Sequence, residues 1–217
     1  MTHVKVCGVR TVEEGRVALE AGASYLGFVM WQPSKRFIAP EDAAKVIRHL
    51  RAESLGWSAV GVFVDPTPED AAQATRLCGL DYVQLSGHEN AKRVKAMPAP
   101  TIKAIHVEAG QEAAAVNIVE TDALGADIYL LDTHADGMYG GTGQTFDWNA
   151  LRKIGRRCLA GGGLRPDNVA LALATLEPMG VDVSSGVEYP DGGKDPVLVR
   201  AFLEAVRKHD DLSARIG

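Results

Sequence analysis

The stretch LAGGGLRPDNVALALATLEPMGVDVSSGVE, from Leu159 to Glu188, decides the fold that we predict for this chain. It holds two β-like runs, ending in the glycines 161–163 and in Ser184-Ser185-Gly186, with an amphipathic helical pattern between them. Glycines leave backbone N–H groups open to a phosphate, and a helix that begins just beyond adds the positive end of its dipole. Because the loops after the seventh and eighth strands of a parallel barrel commonly bind phosphate, the stretch predicts the end of such a barrel.

Strand-like runs and helical patterns alternate along the whole chain, as this interpretation requires. The predicted strands begin at Val4, Tyr25, Ser58, Asp81, Thr101, Ile128, Arg157 and Gly180. The predicted helices are Val12–Ala21, Pro40–Arg51, Pro68–Cys78, His88–Met97, Glu112–Ala123, Asn149–Ile154, Pro166–Leu176 and Pro196–Lys208. We therefore predict an α/β fold, a single-domain (β/α)8 TIM barrel over residues 1–217. An open doubly wound sheet would need a Gly-x-Gly-x-x-Gly turn after the first strand, and Cys7–Thr11 lacks it.

The composition of the chain argues against several kinds of binding partner and site. The net charge of -5 and the scattered basic residues argue against a nucleic-acid or anionic-membrane partner. The three cysteines, Cys7, Cys78 and Cys158, are an odd number without metal-ligand spacing, so we expect neither a disulfide framework nor a metal site. No apolar segment resembles a signal or a membrane span, so we expect a cytoplasmic protein. We expect the protein to be either a monomer or a homodimer.

The first strand predicts two inward side chains at the barrel mouth. Thr11 and Glu14 form a capping-box pattern, so the strand ends near Cys7. Residues alternate across a strand, and with the flanking valines facing the helices, Lys5 and Cys7 point inward. The same alternation turns Asp182 inward from the eighth strand, which predicts a Lys5–Asp182 pair. That pair has an alternative interpretation as a purely structural one, because buried charges need partners whatever the function.

Further polar candidates follow other strands. Arg36, after the second strand, is suited to clasp a carboxylate with two parallel N–H bonds, although a solvated basic turn is the alternative. Asp132 ends the sixth strand as a helix cap, a structural acceptor or an acid–base group. The glycine-rich segment from Thr133 to Trp148 has the length and composition of a lid over the mouth.

Strands four and five contribute less clearly. Gln84 and Ser86 are predicted to face the interior, and His88 follows at the expected helix start, where a solvated histidine is the alternative. Strand five offers either Lys103 or His106 to the interior, because the run lacks clean alternation. A thiol, a carboxylate, an arginine and a phosphate site at one mouth together favour a proton-shuttling isomerisation of a small sugar phosphate.

The ordered motifs also resemble a known family. They are KVCGVRT (5–11), GFVMWQPSKRFI (27–38), VGVFVD (60–65), VQLSG (83–87), LLDT (130–133), GGTGQTFDW (140–148), LAGGGLRPDNV (159–169), GVDVSSGVE (180–188) and GGKD (192–195). This set, which covers nearly the whole chain, is similar to the phosphoribosylanthranilate isomerases, the (β/α)8 barrels of tryptophan biosynthesis. The resemblance implies an Amadori rearrangement of N-(5-phosphoribosyl)anthranilate to 1-(2-carboxyphenylamino)-1-deoxyribulose 5-phosphate, without cofactor or metal.

The resemblance also implies roles for individual residues. Cys7 matches the family's general base, Asp132 its general acid, and Arg36 the arginine that holds the anthranilate carboxylate. With them we group Lys5, Gln84 and Asp182 as residues of the substrate site. The phosphate ligands implied are Gly162, Gly163, Ser184, Ser185 and Gly186. Lys5 is then the positive charge expected to keep the Cys7 thiol ionised.

Two departures from the family pattern bear on these roles. Ser86 stands where the family commonly has histidine, so either His88 takes over the role of that imidazole or the role is dispensable. LAGGGL also has one glycine more than the usual LAGGL, which leaves open which amides contact phosphate.

Two other functions stay open on the sequence. A different phosphosugar barrel, such as an epimerase or an isomerase that also accepts the aminoimidazole substrate of histidine biosynthesis, would be expected to carry phosphate-binding repeats in both halves. A non-catalytic phosphosugar-binding barrel is the other, and Cys7 and Asp132 argue against it.

Overall fold

Eight parallel strands form a closed barrel in the computed structural model, which describes residues 1–107, 110–133, 151–152, 155 and 158–216. The strands are β1 (His3–Cys7), β2 (Tyr25–Val29), β3 (Ser58–Phe63), β4 (Tyr82–Leu85), β5 (Thr101–Val107), β6 (Ile128–Thr133), β7 (Cys158–Gly161) and β8 (Gly180–Val183). Each strand pairs with the next along the chain, and β8 pairs with β1 to close the ring. The predicted single (β/α)8 barrel is thus confirmed in its fold class.

Helices surround the barrel. They are α1 (Val12–Ala21), α2 (Pro40–Glu53), α3 (Pro68–Cys78), α4 (Ala91–Lys95), α5 (Glu112–Glu120), α6 (Val169–Leu176) and α7 (Pro196–Ile216), with a 3-10 helix at Ser185–Val187. Their apolar faces pack on the outward side chains of the strands, and this layer forms the larger of the two hydrophobic clusters. Within the described ranges, no helix has the length and apolar character that a membrane crossing requires.

Local side-chain bonds explain where the helices depart from the predicted bounds. α4 begins at Ala91 instead of His88, because the side chain of Asn90 caps it by accepting a hydrogen bond from Arg93 N. α6 begins three residues after the predicted Pro166, because the Asn168 amide bonds back into the preceding loop. The helix predicted at 149–154 and the lid predicted beyond Thr133 lie largely outside the described residues.

The alternation of inward and outward side chains places the site. A second, smaller apolar cluster fills the barrel interior, formed by Cys7, Tyr25, Val29, Val60, Val62, Ile102, Ala104, Ile128, Leu130 and Leu159. Lys5 lies inside the barrel with no exposed surface, and its Nζ is 2.8 Å from Asp182 Oδ1 across the β1–β8 seam. The predicted pair is therefore confirmed, and the next inward position on each of these strands, Cys7 and Ser184, reaches the mouth.

Candidate active site

A cavity of about 460 Å³ opens at the carboxyl ends of the strands, a volume in the range of small-molecule sites. Its described lining consists of Cys7, Val29, Ser34, Arg36, Gln84, Leu130, Asp132, Gly162, Gly163, Leu164, Asp182, Ser184 and Ser185. Nine of the eleven predicted site residues are in this set; Lys5 lies beneath it, and Gly186 lies behind it. Within the described residues, no group of three or more His, Cys, Asp and Glu side chains is arranged to hold a metal ion.

Cys7 lies at the end of β1, above the Lys5–Asp182 pair. Gly27 on the neighbouring strand leaves the room that this arrangement needs, since a Cβ there would lie 2.9 Å from Cys7 Sγ and 3.1 Å from Lys5 Nζ. Burial alone would lower the pKa of Lys5, but the Asp182 carboxylate and Cys7 raise it above its usual range. Lys5 is consequently charged at every physiological pH.

The pKa of the Cys7 thiol differs from the sequence-based expectation. Burial raises this pKa, and Asp182 raises it further, whereas Lys5 and Lys194 lower it by less. The expectation that Lys5 keeps the thiol ionised is therefore wrong for the free protein at neutral pH. Burial is the largest influence on this pKa, and Asp182 partly opposes the effect of Lys5. What Lys5 supplies is a fixed positive charge beside any thiolate that forms.

Asp132 ends β6 on the far side of the cavity and contacts a histidine. His106 Nδ1 on β5 lies 3.2 Å from Asp132 Oδ2, and His106 Nε2 lies 3.1 Å from the Ser86 carbonyl oxygen. The choice left open on strand five is thereby resolved in favour of His106. Lys103 points outward from the barrel, where its Nζ is 2.8 Å from Glu89 Oε2.

The polar residues in β4 and just after it differ in position, and Gln84 is the one that lines the cavity. Gln84 Nε2 donates to Ser86 Oγ at 3.1 Å, and the buried Oε1 of Gln84 has no hydrogen-bond partner among the described residues. An unpaired buried amide oxygen that lines a cavity is available to a ligand N–H or O–H group. His88 cannot replace the family histidine, because its side chain is fully exposed and its Nδ1 faces Asp65 at 3.7 Å. The suggestion that it does so is wrong.

Arg36 is held in place by a buried carboxylate that the sequence analysis missed. Its Nε and Nη2 donate to Glu188 Oε1 and Oε2, at 2.5 and 2.9 Å, in a two-bond clasp. Lys194 Nζ binds the same carboxylate at 2.7 Å, and both Glu188 and Lys194 are almost fully buried. Although burial raises the pKa of Glu188, Arg36 and Lys194 together lower it to about 2. The sequence signals for Glu188 and Lys194 are the motifs SSGVE (184–188) and GGKD (192–195).

The phosphate residues predicted from the opening stretch surround one end of the cavity. Gly162 and Gly163 have φ angles of 84° and 65°, a region that favours glycine, and neither residue has a side chain to cover its backbone N–H group. Asn168 fixes this loop, because its side chain donates to the Gly163 carbonyl at 3.0 Å and accepts from Arg165 N at 2.7 Å. The Ser184 hydroxyl donates to the Cys7 carbonyl at 3.1 Å, which ties this end of the cavity to β1.

Packing around position 186 leaves no room for any side chain, so this residue must be glycine. A Cβ at this position would lie 1.8 Å from the carbonyl oxygen of Leu164. The two phosphate loops, after β7 and after β8, are therefore in direct contact behind the cavity. Of the five predicted phosphate residues, Gly162, Gly163, Ser184 and Ser185 line the cavity, and Gly186 holds the two loops together.

Comparisons with known proteins agree on one family. Residues 4–205 match the family model described as N-(5'phosphoribosyl)anthranilate (PRA) isomerase. The N-(5'-phosphoribosyl)anthranilate isomerase of Citrifermentans bemidjiense is 42% identical over 211 residues, which cover 96% of this chain and 98% of that protein. A crystal structure of phosphoribosyl anthranilate isomerase in complex with reduced 1-(o-carboxyphenylamino)-1-deoxyribulose 5-phosphate superposes with a TM-score of 0.82 at 32% identity, covering 96% of this chain and 100% of that one. A crystal structure of monomers of dimeric phosphoribosylanthranilate isomerase from Thermotoga maritima superposes with a TM-score of 0.80 at 33% identity, covering 96% of this chain and 100% of that one.

The opposed charges around Cys7 predict how its thiol titrates. We expect the midpoint for alkylation of Cys7 by iodoacetamide to lie above about 8.5, the ordinary thiol value, because burial raises the pKa. Lys5→Met should move this midpoint further up, since a lowering charge is lost, and Asp182→Asn should move it down. Mass spectrometry of the Cys7 peptide against pH measures all three midpoints, with circular dichroism as the control for folding. A midpoint below 8 in the unaltered protein would contradict the assignment.

Proposed function

The chain belongs to the N-(5'-phosphoribosyl)anthranilate isomerase family, and on that premise we propose that its barrel mouth isomerises N-(5'-phosphoribosyl)anthranilate by general acid–base catalysis. The product is 1-(2-carboxyphenylamino)-1-deoxyribulose 5-phosphate, the ketose isomer of the aldose-derived substrate. Asp132 is the acid and Cys7 the base. The observation that carries this proposal is that both side chains line one cavity from different sides of the ring.

The acid acts first. Protonation of the furanose ring oxygen by Asp132 lets the bond from C1 to that oxygen break, and the electron pair of the amine nitrogen forms the C=N bond of a protonated Schiff base. The adjacent C2–H bond is now acidic, because the electron pair it leaves behind is drawn toward the positive nitrogen. The carboxyl therefore prepares the carbon on which the base acts.

The base acts second. The Cys7 thiolate removes the C2 proton, which converts the Schiff base into a neutral enolamine. Burial raises the pKa of this thiol, and Lys5 and Lys194 are the two cations that oppose the rise and stabilise the thiolate once it has formed. Return of the proton to C1, with loss of the enol O–H proton, completes the isomerisation and restores both groups.

Two charged ends orient the substrate. We place the phosphate against Gly162, Gly163, Ser184 and Ser185, where two loops meet and backbone N–H groups face the cavity. We place the anthranilate carboxylate at Arg36. The Glu188 clasp uses Nε and Nη2 of Arg36 and leaves the Nη1 hydrogens for the substrate. A guanidinium fixed in this way loses little side-chain entropy when the substrate binds.

Gln84 and Asp182 complete the proposed contacts with the sugar. The free Oε1 of Gln84 is suited to accept a hydrogen bond from a ribose hydroxyl or from the amine N–H. Asp182 lines the cavity while its Oδ1 binds Lys5, and we assign its second carboxylate oxygen to a sugar hydroxyl. Lys5 acts from beneath, without contact to the substrate.

The cellular setting follows from the chemistry of this substrate. We place the protein in the cytoplasm, where small phosphorylated metabolites of amino-acid biosynthesis are made, and cell fractionation checks that placement. Monomer and homodimer are both compatible with a complete site in one chain, and light scattering of the purified protein distinguishes them.

Removal of either proton carrier should slow turnover strongly without abolishing it. We expect Cys7→Ser and Asp132→Asn each to lower kcat by about 10²–10⁴-fold with little change in KM, because neither group is needed to hold the ligand. The fluorescence decrease of phosphoribosylanthranilate on addition of the protein measures both constants. Cys158→Ser, which alters a buried thiol away from the cavity, is the matched control. Near-normal turnover by Cys7→Ser would remove Cys7 as the base.

The two ends of the substrate should respond independently. We expect Arg36→Met to raise KM by about tenfold or more with a smaller fall in kcat, since a remote carboxylate contact supplies binding shared by ground and transition states. Inorganic phosphate should inhibit competitively, with the same inhibition constant in the unaltered protein and in Arg36→Met, because the phosphate loops lie elsewhere in the cavity. An unchanged KM in Arg36→Met, or no inhibition by phosphate, would contradict the proposed orientation.

A further inference from the structure

His106 lies between two hydrogen-bond acceptors. Its Nε2 faces the carbonyl oxygen of Ser86 at 3.1 Å, and its Nδ1 faces Asp132 Oδ2 at 3.2 Å. A carbonyl oxygen only accepts, so Nε2 carries a proton. If Asp132 were ionised and Nδ1 bare, two lone pairs would face each other across 3.2 Å. The arrangement therefore requires one further proton, held between His106 Nδ1 and Asp132 Oδ2.

A shared proton of this kind accounts for how a carboxyl can act as a general acid at neutral pH. An isolated aspartic acid has a pKa of about 3.9, so at pH 7 only about one carboxyl in 10³ carries the proton that a general acid must donate. Burial is one way to retain that proton, but the Asp132 side chain keeps 30% of its surface exposed. An imidazole, in contrast, holds a proton near neutrality, and hydrogen-bonded contact with a carboxylate strengthens its hold.

We propose that the proton donor of the isomerisation is the His106–Asp132 pair, in which Asp132 delivers the proton and His106 holds and resupplies it. This inference rests on the proposed function, because it takes Asp132 as the acid. His106 is a positioning residue, since it acts through Asp132 and does not line the cavity. His106 lies on β5, next to the strand that Ser86 follows. Ser86 stands where the family that the sequence resembles commonly has histidine.

The proton balance of the cycle closes on this pair. Before reaction the pair is neutral overall, as imidazolium with carboxylate or as imidazole with carboxylic acid. When the proton passes to the ring oxygen, the pair becomes neutral imidazole beside carboxylate, and the substrate gains one positive charge as the Schiff base. The later loss of the enol O–H proton returns one proton to the pair, while the Cys7 thiol returns its own to C1.

The charges around His106 favour its protonated form. The contact with Asp132 raises the pKa of His106, and the Ser86 carbonyl raises it further, whereas partial burial and Lys103 lower it by less. Lys103, the other charged group on β5, is bound by Glu89 after β4, which limits its influence. From β6, the neighbour on the other side, Asp132 is the charged group that faces the ring.

The test compares His106→Gln with the unaltered protein across pH 6 to 7.5. Without the imidazole, Asp132 must take its proton from solvent, so we expect kcat/KM of the variant to be lower by about 10²-fold or more. The deficit itself should grow as the pH rises, since solvent supplies fewer protons. A deficit that is the same at every pH would mean a structural role and would overturn the proposal, as would unchanged activity.

Two controls separate this inference from the proposed function. His88→Gln removes an exposed histidine that also contacts a carboxylate, and it should leave the pH profile unchanged. Asp132→Asn should keep its deficit of about 10²–10⁴-fold at every pH; if it turns over at a near-normal rate, the proposed acid itself is wrong. If Asp132→Asn shows this deficit and His106→Gln behaves like the unaltered protein, then only the role of His106 fails.

A readout independent of activity tests the shared proton directly. Nuclear magnetic resonance of the imidazole nitrogens should show His106 titrating above about 6.5, the ordinary histidine value, in the ligand-free protein. The midpoint should fall in Asp132→Asn, which cannot share a proton as a carboxylate does. A midpoint below 6.5, or one that Asp132→Asn leaves unmoved, would overturn the proposal.

Discussion

The pairing of β8 with β1 closes the barrel, and the site depends on that closure. Register sets Lys5 opposite Asp182, so the first and last strands meet through an ion pair inside the barrel. One layer higher the same alternation sets Cys7 beside Ser184, whose hydroxyl bonds to the Cys7 carbonyl. A slip of β1 by one residue would turn Lys5 and Cys7 to the helix layer, since side chains alternate with a period of two. The positions of Cys7 and of the loop after β8 therefore depend on the same strand pairing.

The charged side chains at the barrel mouth and directly beneath it are mostly paired. On one side Glu188 binds Arg36 and Lys194, and beneath it Lys5 binds Asp182. Removal of one partner from a buried pair of this kind typically costs about 3–5 kcal/mol, because the other charge remains without solvent or partner. On the opposite side His106 and Asp132 are partly exposed. The two sides of the cavity thus differ: one holds buried, paired charges, and the other holds two partly exposed titratable side chains in contact.

Sequence patterns were sufficient for the barrel and for the residues that end its strands. Period-two alternation placed Lys5, Cys7 and Asp182 correctly, because each lies in a short strand with apolar neighbours. The alternation in β5 was unclear, because Lys103 is a buried charge on the outward face, paired with Glu89 from a loop. Glu188 and Lys194 were missed for a related reason: Glu188 lies 152 residues from Arg36 along the chain, and no local pattern encodes a contact over that separation. The pKa of Cys7 likewise depends on a sum of opposed burial and charge effects that residue identities alone do not determine.

The proposed assignment of Cys7 as the base and Asp132 as the acid is tested most directly by an isotope measurement. The substrate is deuterated at C2 of its ribose, and the rates of Cys7→Ser and Asp132→Asn are compared with deuterated and undeuterated substrate. Proton removal from carbon should limit Cys7→Ser, which should therefore turn over the deuterated substrate markedly more slowly. Ring opening should limit Asp132→Asn, which should show little difference between the two substrates. The reverse pattern, with the large isotope effect in Asp132→Asn, would contradict the assignment of base and acid.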